Sequence, residues 1–205
     1  MEEEMKGKKI SVSVVLLIIA LIVMVVMGVF MFKEFNDKKV AIDERYKNYI
    51  NGLKNSLKTV NEYGETFYGE KYDACLFYSG SILEFDGIEN VYLKSNGDLY
   101  VQLSKDSYLG KKYGTKYKMT SNVVRAGVTE DGQDGNGIYV IKDDGKFYYC
   151  KFSGWGADSS ENSLELKEIT ELKNIVNIES LHNGETMIPF AFDIDGNIFD
   201  ISKFK

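Results

Sequence analysis

The chain is poor in the residues that most site chemistry needs. Among 205 residues there is one histidine, His182, one tryptophan, Trp155, two cysteines, Cys75 and Cys150, and two arginines, Arg45 and Arg125. Two cysteines with no CxxC or Cys/His spacing supply no zinc ligand set. Outside the cytoplasm they either pair as a disulfide or, because both lie in aromatic runs (ACLFYSG and FYYCKF), stay as buried thiols acting as small hydrophobes. His182 stands in a turn-like Leu-His-Asn-Gly context with no serine or cysteine elbow near it in sequence, so no triad is founded on it. No glycine-rich phosphate cradle opens a helix. Two arginines leave few candidates for bidentate phosphate or base recognition, and 31 acidic against 25 basic residues, net charge −6, argue against a nucleic-acid surface. No cofactor is implied, and no enzymatic activity is assigned from these residues.

Charge is also missing from one long run, ISVSVVLLIIALIVMVVMGVFMF, the 23 residues from Ile10 to Phe32. As a helix this run is roughly 34 Å long, enough for the ~30 Å hydrocarbon core of a bilayer. A cleaved signal peptide has a shorter apolar stretch, about 7 to 15 residues, ending at a small-residue site. Here the run ends in GVFMFKEF. The expectation is a stub over residues 1–9 and a retained transmembrane helix over 10–32. Lys6, Lys8 and Lys9 precede the helix, while Lys33, Lys38, Lys39, Arg45 and Lys47 follow it, a count that by itself keeps the C-terminal side in the cytoplasm. Long C-terminal domains translocate largely regardless of such flanking charge, so a single-pass signal anchor with the C-terminal domain outside the cytoplasm is the simpler arrangement. The lysine-, asparagine- and tyrosine-rich composition is of a bacterial type.

Residues 33–63 contain no proline, and Tyr46, Ile50, Leu53, Leu57 and Val60 recur at spacings of 4, 3, 4 and 3. That places all five on one stripe of a helix. The stripe either dimerises the protein as a parallel coiled coil or packs against the chain's own next domain. It covers little more than two heptads and contains Gly52, which costs about 1 kcal/mol inside a helix, and both facts favour the packed helix.

From residue 64 to residue 205 the pattern changes to short apolar runs, rich in Tyr and Phe, separated by Gly, Asn, Asp and Ser. This part is expected to be β-rich. LKSNGDLY, IKDDGKFY and FDIDGNIF align on Gly97, Gly145 and Gly196, with Asn96, Asp144 and Asp195 before the glycine, which suggests hairpins closed by type I′ turns. The glycines are spaced by 48 and 51 residues; NVVRAG begins 23 residues before the second and NIVNIE begins 22 before the third. A period near fifty with strand–turn–strand content marks a β array. At these residues the chain resembles the blade repeats of the regulator-of-chromosome-condensation type of β-propeller, over roughly residues 80 to 203. The resemblance implies propeller-like blades, with LKSNGDLY keeping only the hairpin half of the unit. VTEDGQDGNG and SLHNGET replace that family's glycine-histidine region, and three units are fewer than the four to eight blades of a closed propeller.

The remaining candidates are loops. DIDGN, Asp193 to Asn197, spaces oxygens as an EF-hand begins, but Ile198 and Phe204 stand at its sixth and twelfth positions, so it reads as a turn. TEDGQDGNG, Thr129 to Gly137, gathers Glu130, Asp131, Asp134 and Asn136, with Asp131 and Asp134 as weak ligand candidates in an otherwise ordinary hairpin connection. Trp155, between glycines in SGWGADSSENS, either stacks on a partner or folds back over the sheet. The sequence therefore suggests a membrane-anchored binding or interaction module. The alternative is a structural subunit of pseudopilin type, although Val12 stands where such subunits carry a glutamate.

Overall fold

The computed structural model describes residues 12–59, 66–67, 70–71, 75–78, 87–131, 135–151, 163–182 and 187–204. The chain divides into two compact units, Met1–Asp43 and Glu44–Lys205, and helix α1 (Val12–Thr59) passes from one into the other. In the first unit the large apolar side chains from Val15 to Phe32 are 43% to 68% exposed, on every side of the helix. This helix is long and apolar enough to cross a membrane. No break separates the apolar segment from the residues after 32: the helix continues through an exposed Glu34–Lys38 pair.

The second unit is mostly β. β1 (Thr66–Phe67) and β2 (Glu70–Lys71) form a small ribbon. The first sheet contains β3 (Cys75–Tyr78), β4 (Ile88–Lys94), β5 (Leu99–Leu103) and β6 (Lys116–Thr120), with the short helix α2 (Tyr108–Tyr113) between β5 and β6. The second contains β7 (Val123–Asp131), β8 (Gly135–Lys142), β9 (Phe147–Lys151) and β10 (Lys167–Glu168). The third contains β11 (Ile175–His182), β12 (Met187–Asp193) and β13 (Ile198–Asp200), followed by a 3-10 turn over Ile201–Lys203. Every sheet is an antiparallel meander in chain order, and the described residues close no barrel or propeller.

Alternation assigns the faces. Leu93, Leu99 and Val101 of the first sheet share a core with Ala126, Ile138, Val140 and Cys150 of the second. The opposite face of the second sheet, with Tyr139, Ile141, Phe147 and Tyr149, shares another core with Ile178 and Ala191 of the third. The second sheet is thus buried on both faces. That is why β8 reads GIYVI, an unbroken apolar run, where a half-exposed strand would alternate with polar residues. Gly127 and Gly137 leave room for the rings of Tyr139 and Tyr149, which occupy the space a Cβ would need.

The hairpin turns differ from the type I′ expectation. Gly97, Gly145 and Gly196 have φ of 85°, 80° and 84°, while the only non-glycine residues with positive φ among those described are Asn122 and Asn174. Gly97 N–H donates to Lys94 O and Lys94 N–H to Asp98 O, both at 2.9 Å, and the other two turns repeat this pair of bonds. Each is a three-residue loop, a type I turn followed by a left-handed glycine. The residue before the glycine keeps negative φ. In the first two turns its side chain caps the corner: Asn96 Oδ1 accepts from Asp98 N–H and Asp144 Oδ1 from Lys146 N–H, each at 3.0 Å.

The repeated Asn-Val-Val and Asn-Ile-Val have a common geometry. Asn122 and Asn174 adopt φ of 62° and 57°, immediately before the first strand of their sheets. Asparagine tolerates this left-handed conformation better than branched residues do. In it, Asn122 O accepts Asp143 N–H at 2.8 Å, and Asn174 O accepts Ile194 N–H at 3.0 Å. Each acceptor ties the entrance of a sheet to its own hairpin, two residues before the glycine.

The helical stripe is covered by this unit's own sheets. Tyr46, Ile50 and Leu57 are buried and Leu53 is half-buried; Val60 lies outside the described residues. Tyr46 hydroxyl lies 3.0 Å from both Gly145 O and Ile175 O, and Tyr49 hydroxyl donates to Val176 O at 2.7 Å. The packed-helix alternative is therefore the arrangement seen, and the stripe from Tyr46 to Leu57 is not a free dimerisation seam in this structure.

A Cβ added to Gly145 would stand 2.7 Å from the Tyr46 ring, whereas one added to Gly196 meets nothing within 4 Å. Gly196→Ala should cost only the left-handed strain, about 1 kcal/mol, and Gly145→Ala roughly 3 kcal/mol because the helix must also shift. Thermal unfolding of the full chain in detergent checks this, and equal losses would show that Tyr46 does not constrain the turn.

Candidate functional site

Among the described residues, the clefts on the β unit include two lined by lysines and aromatic rings. The larger, about 570 Å³, lies between the outer strands of the second sheet and the chain's last turn. Its floor is apolar: Ile169 and Ile201 are buried, Pro189 lies beside them, and Tyr149 and Phe204 contribute rings. Lys151, Lys167 and Lys203 line it together with Glu168 and Glu171. Lys146, from outside the lining, engages Glu168 at 3.1 Å, and Asp200, also outside it, engages Lys203 at 3.3 Å, which leaves Lys151 and Lys167 against Glu171 as a small local excess of positive charge. Tyr149 is fixed from behind, its hydroxyl 2.9 Å from the buried Thr129 Oγ1. Apolar side chains beside a small excess of lysine suit an anion that carries a ring or short apolar body.

The smaller cleft, about 350 Å³, is aromatic, with Tyr113, Tyr117, Tyr148, Met119 and Leu164 in its lining. Tyr113 and Tyr117 rings are 4.7 Å apart, Lys142 Nζ sits 4.7 Å from the Tyr148 ring centre, and Lys112 Nζ 5.0 Å from that of Tyr113. The lysines already occupy two of the ring faces.

The sequence candidates fall elsewhere. Trp155 and Asp134 lie outside the described residues. Asp131 closes β7 opposite Gly135, and its side chain is likewise outside the description. β7 and β8 run to Asp131 and Gly135, so the acidic connection is shorter than TEDGQDGNG suggested. His182 is not in a turn: it ends β11, paired with Met187. In DIDGN the oxygens are used by the fold. Asp193 accepts from the N–H groups of Asp195 and Asn197 and from Asn197 Nδ2, and Asp195 accepts from Arg45 at 3.1 Å. No group of three or more metal-ligating side chains occurs among the described residues. Both arginines are structural: Arg45 also donates to Ile194 O, and Arg125 donates to Tyr49 hydroxyl and Asn177 Oδ1. Cys150 is a free, buried thiol donating to Ser163 O at 3.2 Å, and the side chain of Cys75 lies outside the description. The lysines of the larger cleft were invisible as a site because they come from three separate segments with no local motif.

No protein-family model and no characterised protein matches the chain. Among solved structures it is similar to human WBSCR16, at 11% identity and a TM-score of 0.35, over 70% of this chain and 39% of that chain.

Burial, with Glu165 nearby, pushes the Cys150 thiol from 9.0 up to about 12. Between those values the unfolded chain loses this proton and the folded chain keeps it, so stability should fall as pH rises from about 9. Burial also raises Tyr46 and Tyr139, in the same direction. Urea titrations at pH 8 and 10.5 should show the loss, and Cys150→Ala should remove part of it. At the cleft, Lys167→Glu and Lys203→Glu should each weaken binding of 2-naphthalenesulfonate about two- to fivefold, the scale of an exposed charge, in saturation-transfer NMR.

Proposed function

We propose that this chain is a single-pass membrane-anchored binding module, its β unit outside the cytoplasm, with the lysine-lined cleft as the place where an anionic ligand binds. The observation that carries the reading is the uncharged helix face from Val15 to Phe32, exposed all round, which water would not tolerate and a bilayer would. The outside placement of the β unit rests on its length, because long C-terminal domains translocate largely regardless of the Lys/Arg that flank the helix. The cleft is the larger of the two described, and its small excess of lysine is opposite in sign to the charge of the chain as a whole.

The three meanders are read as successive blades of a propeller-like array. The equivalent hairpins, the paired roles of Asn122 and Asn174, and face-to-face packing in chain order support this. A second reading, a pseudopilin-like subunit, draws on the unbroken 48 residues of α1. N-terminal sequencing of the mature protein separates the two, because only the subunit is processed.

In carbonate-washed membranes the full chain should stay in the pellet. Protease added to intact cells should remove a C-terminal tag. A tag protected in intact cells and lost only after lysis would place the β unit inside and overturn the orientation.

A further inference from the structure

The three sheets follow one plan, and the third is a strand short. Aligned on Gly97, Gly145 and Gly196, the strands before the turn are β4, β8 and β12, and those after it are β5, β9 and β13. β3, β7 and β11 pair with the former. On the other edge β6 pairs with β5 and β10 with β9, both antiparallel. Among the described residues no strand pairs with the outer edge of β13.

The backbone at that edge is set for one. Asp193 N–H donates to Asn197 O at 3.1 Å, and hydrogen-bonded pairs recur at every second residue of an antiparallel ladder, so Ala191 and Phe199 form the next. Ile198 N–H and C=O and Asp200 N–H therefore point away from β12, and no described residue bonds to them. In the second sheet the group equivalent to Ile198 C=O is Phe147 O, two residues after Gly145, and it accepts Ile169 N–H at 3.0 Å. The larger cleft opens at the vacant place, between β10 with the residues after it and the 3-10 turn that continues β13. Lys167 pairs with Tyr149, whose ring lies in the core shared with the third sheet, so Lys167 and Ile169 face that sheet's side.

We propose that an extended acidic segment of a partner protein adds to β13, antiparallel to it, as the fourth strand of the third sheet. This rests on the cleft as an anion site and names the anion. Main-chain bonds to Ile198 and Asp200 hold the strand whatever its sequence, and the alternate side chains that face the second sheet make the selection. One apolar residue lies over Ile169 and Ile201, and acidic neighbours meet Lys167. A small anion has no row of N–H and C=O groups to match the edge. The chain's own fourth strands are poor occupants, because β6 carries Lys116 and Lys118 and β10 carries Lys167, and either would bring lysine against Lys167.

The test titrates the end-blocked peptide Thr-Glu-Thr-Val-Thr-Glu-Thr into the full chain in detergent, followed by amide NMR and hydrogen exchange. In the antiparallel register its threonines pair with Ile198 and Asp200, and its valine and glutamates face the cleft. Exchange of the Ile198 and Asp200 N–H groups should slow when peptide is bound. N-methylation of the two inner threonines should weaken binding about tenfold or more, and N-methylation of the valine and the glutamate after it less than about threefold. Lys167→Glu should weaken binding about two- to fivefold. No binding at millimolar peptide, equal losses from the two methylated peptides, or unchanged exchange at Ile198 and Asp200 overturns strand addition. If 2-naphthalenesulfonate still binds and Lys167→Glu weakens it, the anion cleft outlives that failure. Slow exchange at both amides before peptide is added shows an edge the chain itself covers, and it also overturns the proposal. Strand pairing indifferent to Lys167→Glu overturns the acidic choice and, if 2-naphthalenesulfonate does not bind, the cleft reading with it.

Discussion

The hydroxyl of Tyr46 reaches two carbonyls, Gly145 O in the hairpin of the second sheet and Ile175 O at the start of the third. Few single groups join three elements, and this one joins a helix to the junction of two sheets. Its ring lies against Gly145, whose left-handed turn only glycine enters without strain. Around it, Ile50 completes the second core and Arg45 and Tyr49 bond to the third sheet. Without the last turns of α1, the core between the second and third sheets would be open at one end. The β unit is in this sense not an all-β domain with a tail, because the helix is one of its walls.

Much of this was legible in the sequence, for physical reasons. An uncharged run of Ile10–Phe32 admits few solvents, and a 4-3-4-3 stripe admits one helical face. Glycine after Asn or Asp located the three repeated hairpins, because the turn needs a left-handed residue there. The turn type was not legible. Asn96 and Asp144 suit a left-handed position, yet they cap the corner with their side chains and leave that conformation to the glycine. Asn122 and Asn174 are the asparagines that do adopt it, and their role depends on a bond to a segment about twenty residues on.

The candidate site was illegible for a different reason. Lys151, Lys167 and Lys203 become neighbours only when β9, β10 and the last turn meet, and no spacing in the chain records that meeting. The acidic stretches that did draw attention are spent locally. Asp193 is filled by N–H donors of its own turn, and Asp195 answers Arg45. Short-range motifs of turn residues and long-range constellations of ligand residues use the same side chains, and only distance in sequence separates them.

The clamp also sets an order of events. Tyr46 waits for a partner 129 residues further along the chain, and Arg45 for one 150 residues away. Loop closure over such spans comes late in folding, after the local hairpins have formed. As the chain emerges from its N-terminus, Tyr46 and Ile50 therefore stay uncovered until the third sheet is made, while Leu57, which packs with the first and second sheets, is covered earlier. During that interval the greasy side of the helix is the surface most in need of a chaperone, and the arrival of the third sheet is what ends the exposure.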